Sequence, residues 1–230
     1  MTVETTAGDL VLELDPTAAP KTVENFLHHV RAGFYVGLVF HRVIPRFVAQ
    51  AGGYHADGSR KAPLRPPIPL ESSPLRHTDA ALGMARLPEP DTATSEFYLC
   101  DGPQSDLDGR YCVFGRLSQG KDVLRRILSS PTKRDDWPVD PPVLLRAYEG
   151  PPDAANPAPR FELPKAAPPA AVGDVRAAAR KLRGRAAILR ARRPTLAMAE
   201  VEAAIAQADR TGRSEDLAKA ERLLMEREKK

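Results

Sequence analysis

The sequence predicts a mainly β domain of short strands and two helices, followed by an α-helical extension. Three observations carry this expectation. Up to about residue 149, apolar residues fall in short alternating runs bounded by Gly, Pro and Asp, the pattern of half-buried strands. From Pro151 to Pro169 the chain is dense in proline and alanine, a composition that builds neither sheet nor helix interior. Beyond it, apolar residues return at helical spacing.

The first hairpin is signalled by Gly8-Asp9 between Val3–Thr6 and Leu10–Leu14. Asp15-Pro16 ends that strand. Pro20 to Arg31 carries Val23, Phe26, Leu27 and Val30 at helical spacing, with Gly33 placed to stop the helix. Val39–Ile44, Phe47–Ala51, Leu82–Arg86, Phe97–Cys100 and Cys112–Leu117 are strand-like, and Asp108-Gly109 supplies a turn before the last of them. Lys121–Leu128 is a short amphipathic helix, and Val143–Tyr148 a final strand. Eight short strands must manage their edges, which argues for a closed barrel or a sandwich; pattern alone does not choose.

The 230 residues suffice for one domain and an appendage, or for two small domains. A composition of 42% hydrophobic and 28% charged residues is ordinary for a soluble protein. No run approaches the ~18 apolar residues of a membrane span, and the opening Met1-Thr2-Val3-Glu4-Thr5-Thr6 has no signal-peptide character. Cys100 and Cys112 cannot build a disulfide framework, so reduced thiols in the cytoplasm are the simplest reading. Residues 1–169 hold 19 Lys+Arg against 21 Asp+Glu, while the remainder holds 15 against 9, so the net +4 belongs to the tail.

Phe40-His41-Arg42-Val43-Ile44-Pro45-Arg46-Phe47-Val48-Ala49-Gln50-Ala51-Gly52-Gly53 resembles the signature of the cyclophilin-type peptidyl-prolyl isomerases. Leu82-Gly83-Met84-Ala85-Arg86, Thr94-Ser95-Glu96-Phe97-Tyr98-Leu99 and Leu107-Asp108-Gly109-Arg110-Tyr111-Cys112-Val113-Phe114-Gly115 resemble that family's other active-site stretches, in order. Ala19 to Phe26 is similar to its first helix. The resemblance implies an eight-stranded closed antiparallel β-barrel capped by two helices over residues 1–149. It implies peptidyl-prolyl cis-trans isomerase activity on proline-containing peptides or unfolded proteins, as folding assistance. A Pro/Ala-rich linker over 150–171 and a basic helical extension over 172–230 would follow. The alternative for the linker is a loop strapped to the barrel, with Phe161 and Leu163 as anchors.

The chemistry sets its own demands. Rotation about a peptide bond faces ~18–20 kcal/mol because resonance gives the C–N bond double-bond character. No cofactor, metal or nucleophile is needed. A catalyst must hold the proline ring and favour the twisted amide, which a fixed guanidinium beside an apolar pocket can do. Arg42 is that group: it shares strand parity with Phe40 and Ile44, on an otherwise apolar face. Its alternative is to snorkel into water. By resemblance, Phe47, Val48, Tyr98 and Leu107 line the proline pocket, Gln50 bonds the substrate backbone as Arg42's catalytic partner, and small Ala85 lets a peptide pass. Each apolar one has an alternative as barrel core.

Five positions depart from the family. Val48 replaces methionine, and Tyr98 replaces phenylalanine, adding a hydroxyl that needs a partner. Tyr111 replaces histidine. Asp106 stands where many members carry the tryptophan associated with cyclosporin, which predicts weak cyclosporin binding; sub-micromolar inhibition would contradict it. Glu96 replaces glutamine, and two readings follow: an ion pair with Arg42 that competes with substrate, or a carboxylate pointing to solvent. The five histidines lack ligand spacing, and His41, of opposite parity to Arg42, is expected in the core or at the rim.

In the tail, Val175, Ala179, Leu182, Ala186 and Leu189 form one apolar stripe over 172–193, which Pro194 ends. Residues 176–193 carry eight basic side chains and no acidic one, a charge pattern suited to a polyanion or a protein partner. Without aromatic residues, base stacking has no platform. Leu196–Arg210 and Ser214–Glu228 read as a helical pair, with Ser214 a candidate N-cap. The rival to an enzyme is a catalytically silent proline-peptide binding module whose tail recruits a partner.

Overall fold

The structure is a computed structural model that describes residues 1–133, 135–153, 155–163, 172–192 and 198–228. It divides into two compact units, Met1–Glu162 and Leu163–Lys230. In the first, β1 (Thr2–Thr5), β2 (Gly8–Leu14), β3 (Leu38–Ile44), β4 (Val48–His55), β5 (Ala81–Met84), β6 (Phe97–Cys100), β7 (Val113–Gln119) and β8 (Leu144–Tyr148) form one sheet. Their order is β3-β4-β6-β5-β7-β2-β1-β8, with every ladder antiparallel. The outer strands meet at a bridge between Val39 and Val143. Gly37 N–H donates to Leu144 O and Phe40 N–H to Pro142 O, each at 2.9 Å. These contacts nearly close the sheet into a barrel and leave little of its edges open.

Helices α1 (Pro20–Arg31) and α2 (Lys121–Leu128) have the bounds their periodicity predicts. Phe26 of α1 packs among Tyr35, Phe97 and Phe114 at centroid distances of 5.4, 5.3 and 5.2 Å, at the centre of the core. No local side chain caps α1. The carboxylate of Glu71 does so from a distant loop, accepting from Lys21 N–H (3.0 Å), Thr22 N–H (2.7 Å) and the Thr22 hydroxyl (2.6 Å). Gly33, at φ 63°, follows the C-cap and donates to Val30 O at 2.9 Å.

One feature of β3 overturns a sequence expectation. Phe40 pairs with Ala51 but Arg42 pairs with Gln50, so an extra residue is accommodated between them. This bulge reverses parity. Phe40 lies in the barrel core, while Arg42 and Ile44 lie on the outer face with Gln50 and Val48. The parity of Arg42 with Phe40 therefore does not hold.

After β8 the chain does not leave the barrel at once. Phe161 N–H donates to Leu145 O at 2.6 Å, and the Phe161 ring occupies the space over Gly37 that a Cβ would fill. Pro159 lies beside Gly33, with room left for ordinary contact. Beneath this strap sits a buried ion cluster. Arg146 donates from Nε (3.1 Å) and Nη2 (2.5 Å) to Glu4, Arg160 pairs with the other Glu4 oxygen, and Tyr148 Oη donates to Glu4 at 3.2 Å. Arg146 also donates to the Asp153 carbonyl (2.9 Å) and the Asn156 carbonyl. Burial alone would raise the Glu4 carboxyl, but these donors and charges hold it below its usual range. The strap explains why β1 and β8 are buried along their whole length. Of the expected linker, residues 154 and 164–171 lie outside the described residues.

The second unit contains α3 (Val172–Arg192), α4 (Ala199–Thr211) and α5 (Ser214–Glu228). Ala179, Leu182 and Ala186 of the predicted stripe are buried against Met198, Val201, Ile205, Ala208, Ala220 and Leu224. Gly212, at φ 64°, stops α4. The side chains of Val175 and Ser214, and residues 193–197 with Pro194 and Leu196, lie outside the described residues. The basic side chains divide. Arg183 pairs with Asp209 (3.1 Å), Arg190 pairs with Glu202 (2.8 Å), and Arg176 donates to the Asp209 and Arg210 carbonyls; Arg180 and Lys181 are exposed. No described helix is long and apolar enough to cross a membrane.

Candidate active site

Strand alternation sends one set of side chains from β4, β5, β6 and β7 into the barrel and the other outward. The outward set forms an apolar cluster of its own. Val48, Ala81, Ala85, Tyr98, Cys100 and Val113 are buried there, with Phe47, Leu75, Leu107 and Tyr111 packed around them. Six predicted site residues thus meet in one cluster: Phe47, Val48, Ala85, Tyr98, Leu107 and Tyr111. Burial pushes the Cys100 thiol up to about 12, so it is a packing group rather than a nucleophile.

Arg42 stands at the rim, its guanidinium 5.8 Å from the Phe47 ring centroid. Its carboxylate partner is Asp136, at 3.6 Å, and the two side chains are 40% and 44% exposed. An exposed pair of that length is worth ~0–1 kcal/mol and yields easily to a better acceptor. The 132–138 turn brings Asp136 there: Thr132 bridges Pro138, and Val43 N–H donates to Asp136 O at 2.9 Å.

Glu96 fits neither sequence reading. It does not pair with Arg42, and its side chain is only 15% exposed. It crosses β4 where Gly53 leaves a gap, since a Cβ on Gly53 would lie 2.6 Å from the Glu96 carboxyl. Gln50 Nε2 donates to Glu96 Oε2 at 2.9 Å, His41 Nε2 lies 3.3 Å from the same oxygen, and Arg60 is 3.4 Å from Oε1. Burial opposes the charge, but His41, Gln50 and Arg60 together hold the carboxyl below its usual range. His41 is buried between Tyr54 and Trp137, outside the barrel core, and its Nδ1 has no partner among the described residues.

Under the cluster runs a chain of hydrogen bonds. The hydroxyl of Tyr98 lies 2.8 Å from His77 Nε2, and His77 Nδ1 lies 2.8 Å from Asp108 Oδ1. Asp108 also accepts from the His77 backbone, and these bonds hold its carboxyl below its usual range. An ionised Asp108 can only accept, so His77 Nδ1–H donates to it, which leaves Nε2 to accept from the Tyr98 hydroxyl. The ring of Tyr98 fits because Gly83 has no Cβ; one there would lie 2.2 Å from the ring. Arg86 lies over Tyr111 at 4.6 Å and donates to the Arg110 carbonyl. Asp106 is exposed in the short 3-10 turn Ser105–Leu107. Sequence reasoning missed His77, Asp108, Arg60 and Asp136. The one available signal was the Tyr98 hydroxyl, which required a partner without naming it.

The profile of the family described as cyclophilin type peptidyl-prolyl cis-trans isomerase/CLD matches residues 1–149. Peptidyl-prolyl cis-trans isomerase cyp18 of Streptomyces antibioticus is 40% identical over 157 residues, covering 63% of this chain and 95% of that protein. Peptidyl-prolyl cis-trans isomerase B of Escherichia coli (strain K12) is 35% identical over 150 residues, covering 62% and 92%. A Cryptosporidium parvum cyclophilin, solved in the presence of the dipeptide Ala-Pro, superposes with a TM-score of 0.55 at 27% identity, covering 62% and 93%.

Proposed function

Because the chain belongs to the cyclophilin-type peptidyl-prolyl cis-trans isomerases, we propose that its catalysis of X-Pro rotation centres on Arg42. The proline ring would sit against Phe47, Val48, Tyr98 and Leu107, with Ala85 and Tyr111 beside the peptide and Gln50 bonding its backbone. As the amide twists, conjugation is lost and the carbonyl and nitrogen separate in character. A guanidinium fixed beside an apolar surface favours that state without having to reorganise. The observation that carries the reading is the half-exposed Arg42 at the edge of an apolar cluster separate from the barrel core, over the Phe47 ring and in a long, exposed ion pair with Asp136.

The test is a protease-coupled isomerisation assay on the full chain. Arg42→Ala is expected to lower kcat/KM by about 100–1,000-fold with the fold intact. Arg42→Lys should recover little, since an ammonium lacks the planar fork. Equal rates for the parent and both variants would remove Arg42 from the mechanism.

Exposed Asp106 supports the reading of weak cyclosporin affinity, there being no aromatic at that position. The buried free thiols of Cys100 and Cys112 suit a folding role in the cytoplasm, where thiols stay reduced. For the second unit, exposed Arg180 and Lys181 support attraction to a polyanion, although Arg176, Arg183 and Arg190 are engaged with α4. Binding of the full chain to an RNA homopolymer should weaken steeply between 50 and 200 mM salt on the order expected of phosphate contacts. Salt-independent binding, or none, would reject the polyanion.

A further inference from the structure

A carboxamide has two different ends, and what lies beside it decides which end is offered. Gln50 stands on β4 opposite Arg42 on one side and Tyr98 on the other. Its Nε2 donates to Glu96 Oε2 at 2.9 Å. An ionised carboxylate only accepts, so the NH2 end of Gln50 must face it. The Gln50 Oε1 then turns the other way, and no described residue donates to it. Glu96 is itself held in place, lodged over Gly53 and flanked by His41 and Arg60. Gln50, Glu96 and Ala85 line the same cleft, of about 170 Å3.

We propose that Glu96 is a specificity-determining positioning residue: it locks the Gln50 amide so that the site offers substrate a carbonyl oxygen and therefore selects a peptide backbone N–H. The inference rests on the reading that Gln50 touches the substrate backbone. With a glutamine at position 96, either end of that neighbour could face Gln50, and the Gln50 amide would be free to turn over. The lock is thus a property of the carboxylate.

The experiment compares the full-length parent, Glu96→Gln and Gln50→Ala by NMR exchange, which needs no coupling protease. The substrates are a short Xaa-Pro peptide and two depsipeptides. In these, the N–H of the residue before proline, or of the residue after it, is replaced by an ester oxygen. The parent should lose about 10-fold in kcat/KM on one depsipeptide, the loss of one hydrogen bond. Glu96→Gln should show a penalty of about 3-fold or less, because Gln50 no longer presents a fixed acceptor. Gln50→Ala should be slower on the peptide and indifferent to the ester. Equal penalties in the parent and Glu96→Gln, with Gln50→Ala slow, would overturn the lock and keep the contact. The same holds for a parent with no penalty on either ester. A Gln50→Ala protein as fast as the parent would instead remove Gln50 from the substrate, and the lock with it.

Discussion

His29 has no exposed surface, and both its ring nitrogens are engaged. Nδ1 lies 2.8 Å from Asn25 O, and Nε2 accepts from Leu64 N–H at 3.2 Å, so the ring is neutral with its proton on Nδ1. Burial lowers its pKa below the ordinary 6.5. In the unfolded chain the ring takes up a proton near pH 6.5, while in the folded barrel it does not, so unfolding binds protons below that point. Stability should be full above about pH 6.5 and fall as the pH drops toward the folded pKa; denaturant midpoints from pH 5 to 8 should show it, with a flatter profile for His29→Gln. At this scale the sequence was uneven. Apolar candidates such as Val48 and Leu107 were marked by the family resemblance, with a barrel-core role as the alternative for each, and the structure places both in the outer cluster. The partners of Glu96 did not, because only the gap at Gly53 sends that carboxylate to His41 and Gln50 instead of Arg42. His77 reaches Tyr98 across 21 residues of chain, and nothing local to either marks the meeting.

Helix α1 depends on a residue fifty positions away. Glu71 satisfies donors at its N-terminus and places negative charge where the helix dipole favours it. Glu71→Ala should therefore destabilise the chain by about 1–2 kcal/mol, the usual cost of losing a cap, as read from urea midpoints. Thr22→Ser should be nearly silent, since its hydroxyl can still reach the carboxylate. Both barrel helices were legible because a 3.6-residue period over 8–12 residues has few alternatives. Strands were legible to within a few residues. The bulge in β3 was not: a repeat of two is read by assuming that no residue is inserted, and the departure at Phe40–Arg42 is visible only in the pairing with β4.

For the molecule as a whole, the limit of the family match at residue 149 falls short of the folded unit, which runs to Glu162. A chain ended at 149 loses Arg160 from Glu4 and uncovers the outer faces of β1 and β8. It should melt several degrees below a chain ended at 163, at about 2–4 °C per kcal/mol for a domain of this size. Equal melting temperatures would make the strap a bystander. Composition left this packing as the alternative to a linker: Phe161 is the anchor it named and exposed Leu163 is not, but the partners, Gly37 and Glu4, are remote in sequence and an extended segment has no period to point to them. The barrel also joins its own ends, since β1 pairs with β8. Seen in the order of synthesis, the first strand to emerge must wait for the last. The 68 residues from Leu163 to Lys230 follow that moment, and at about 5–20 residues per second they occupy the ribosome for roughly 3–14 s more. The helical unit thus gives β8 an interval in which to pair with β1 while the chain is still being made.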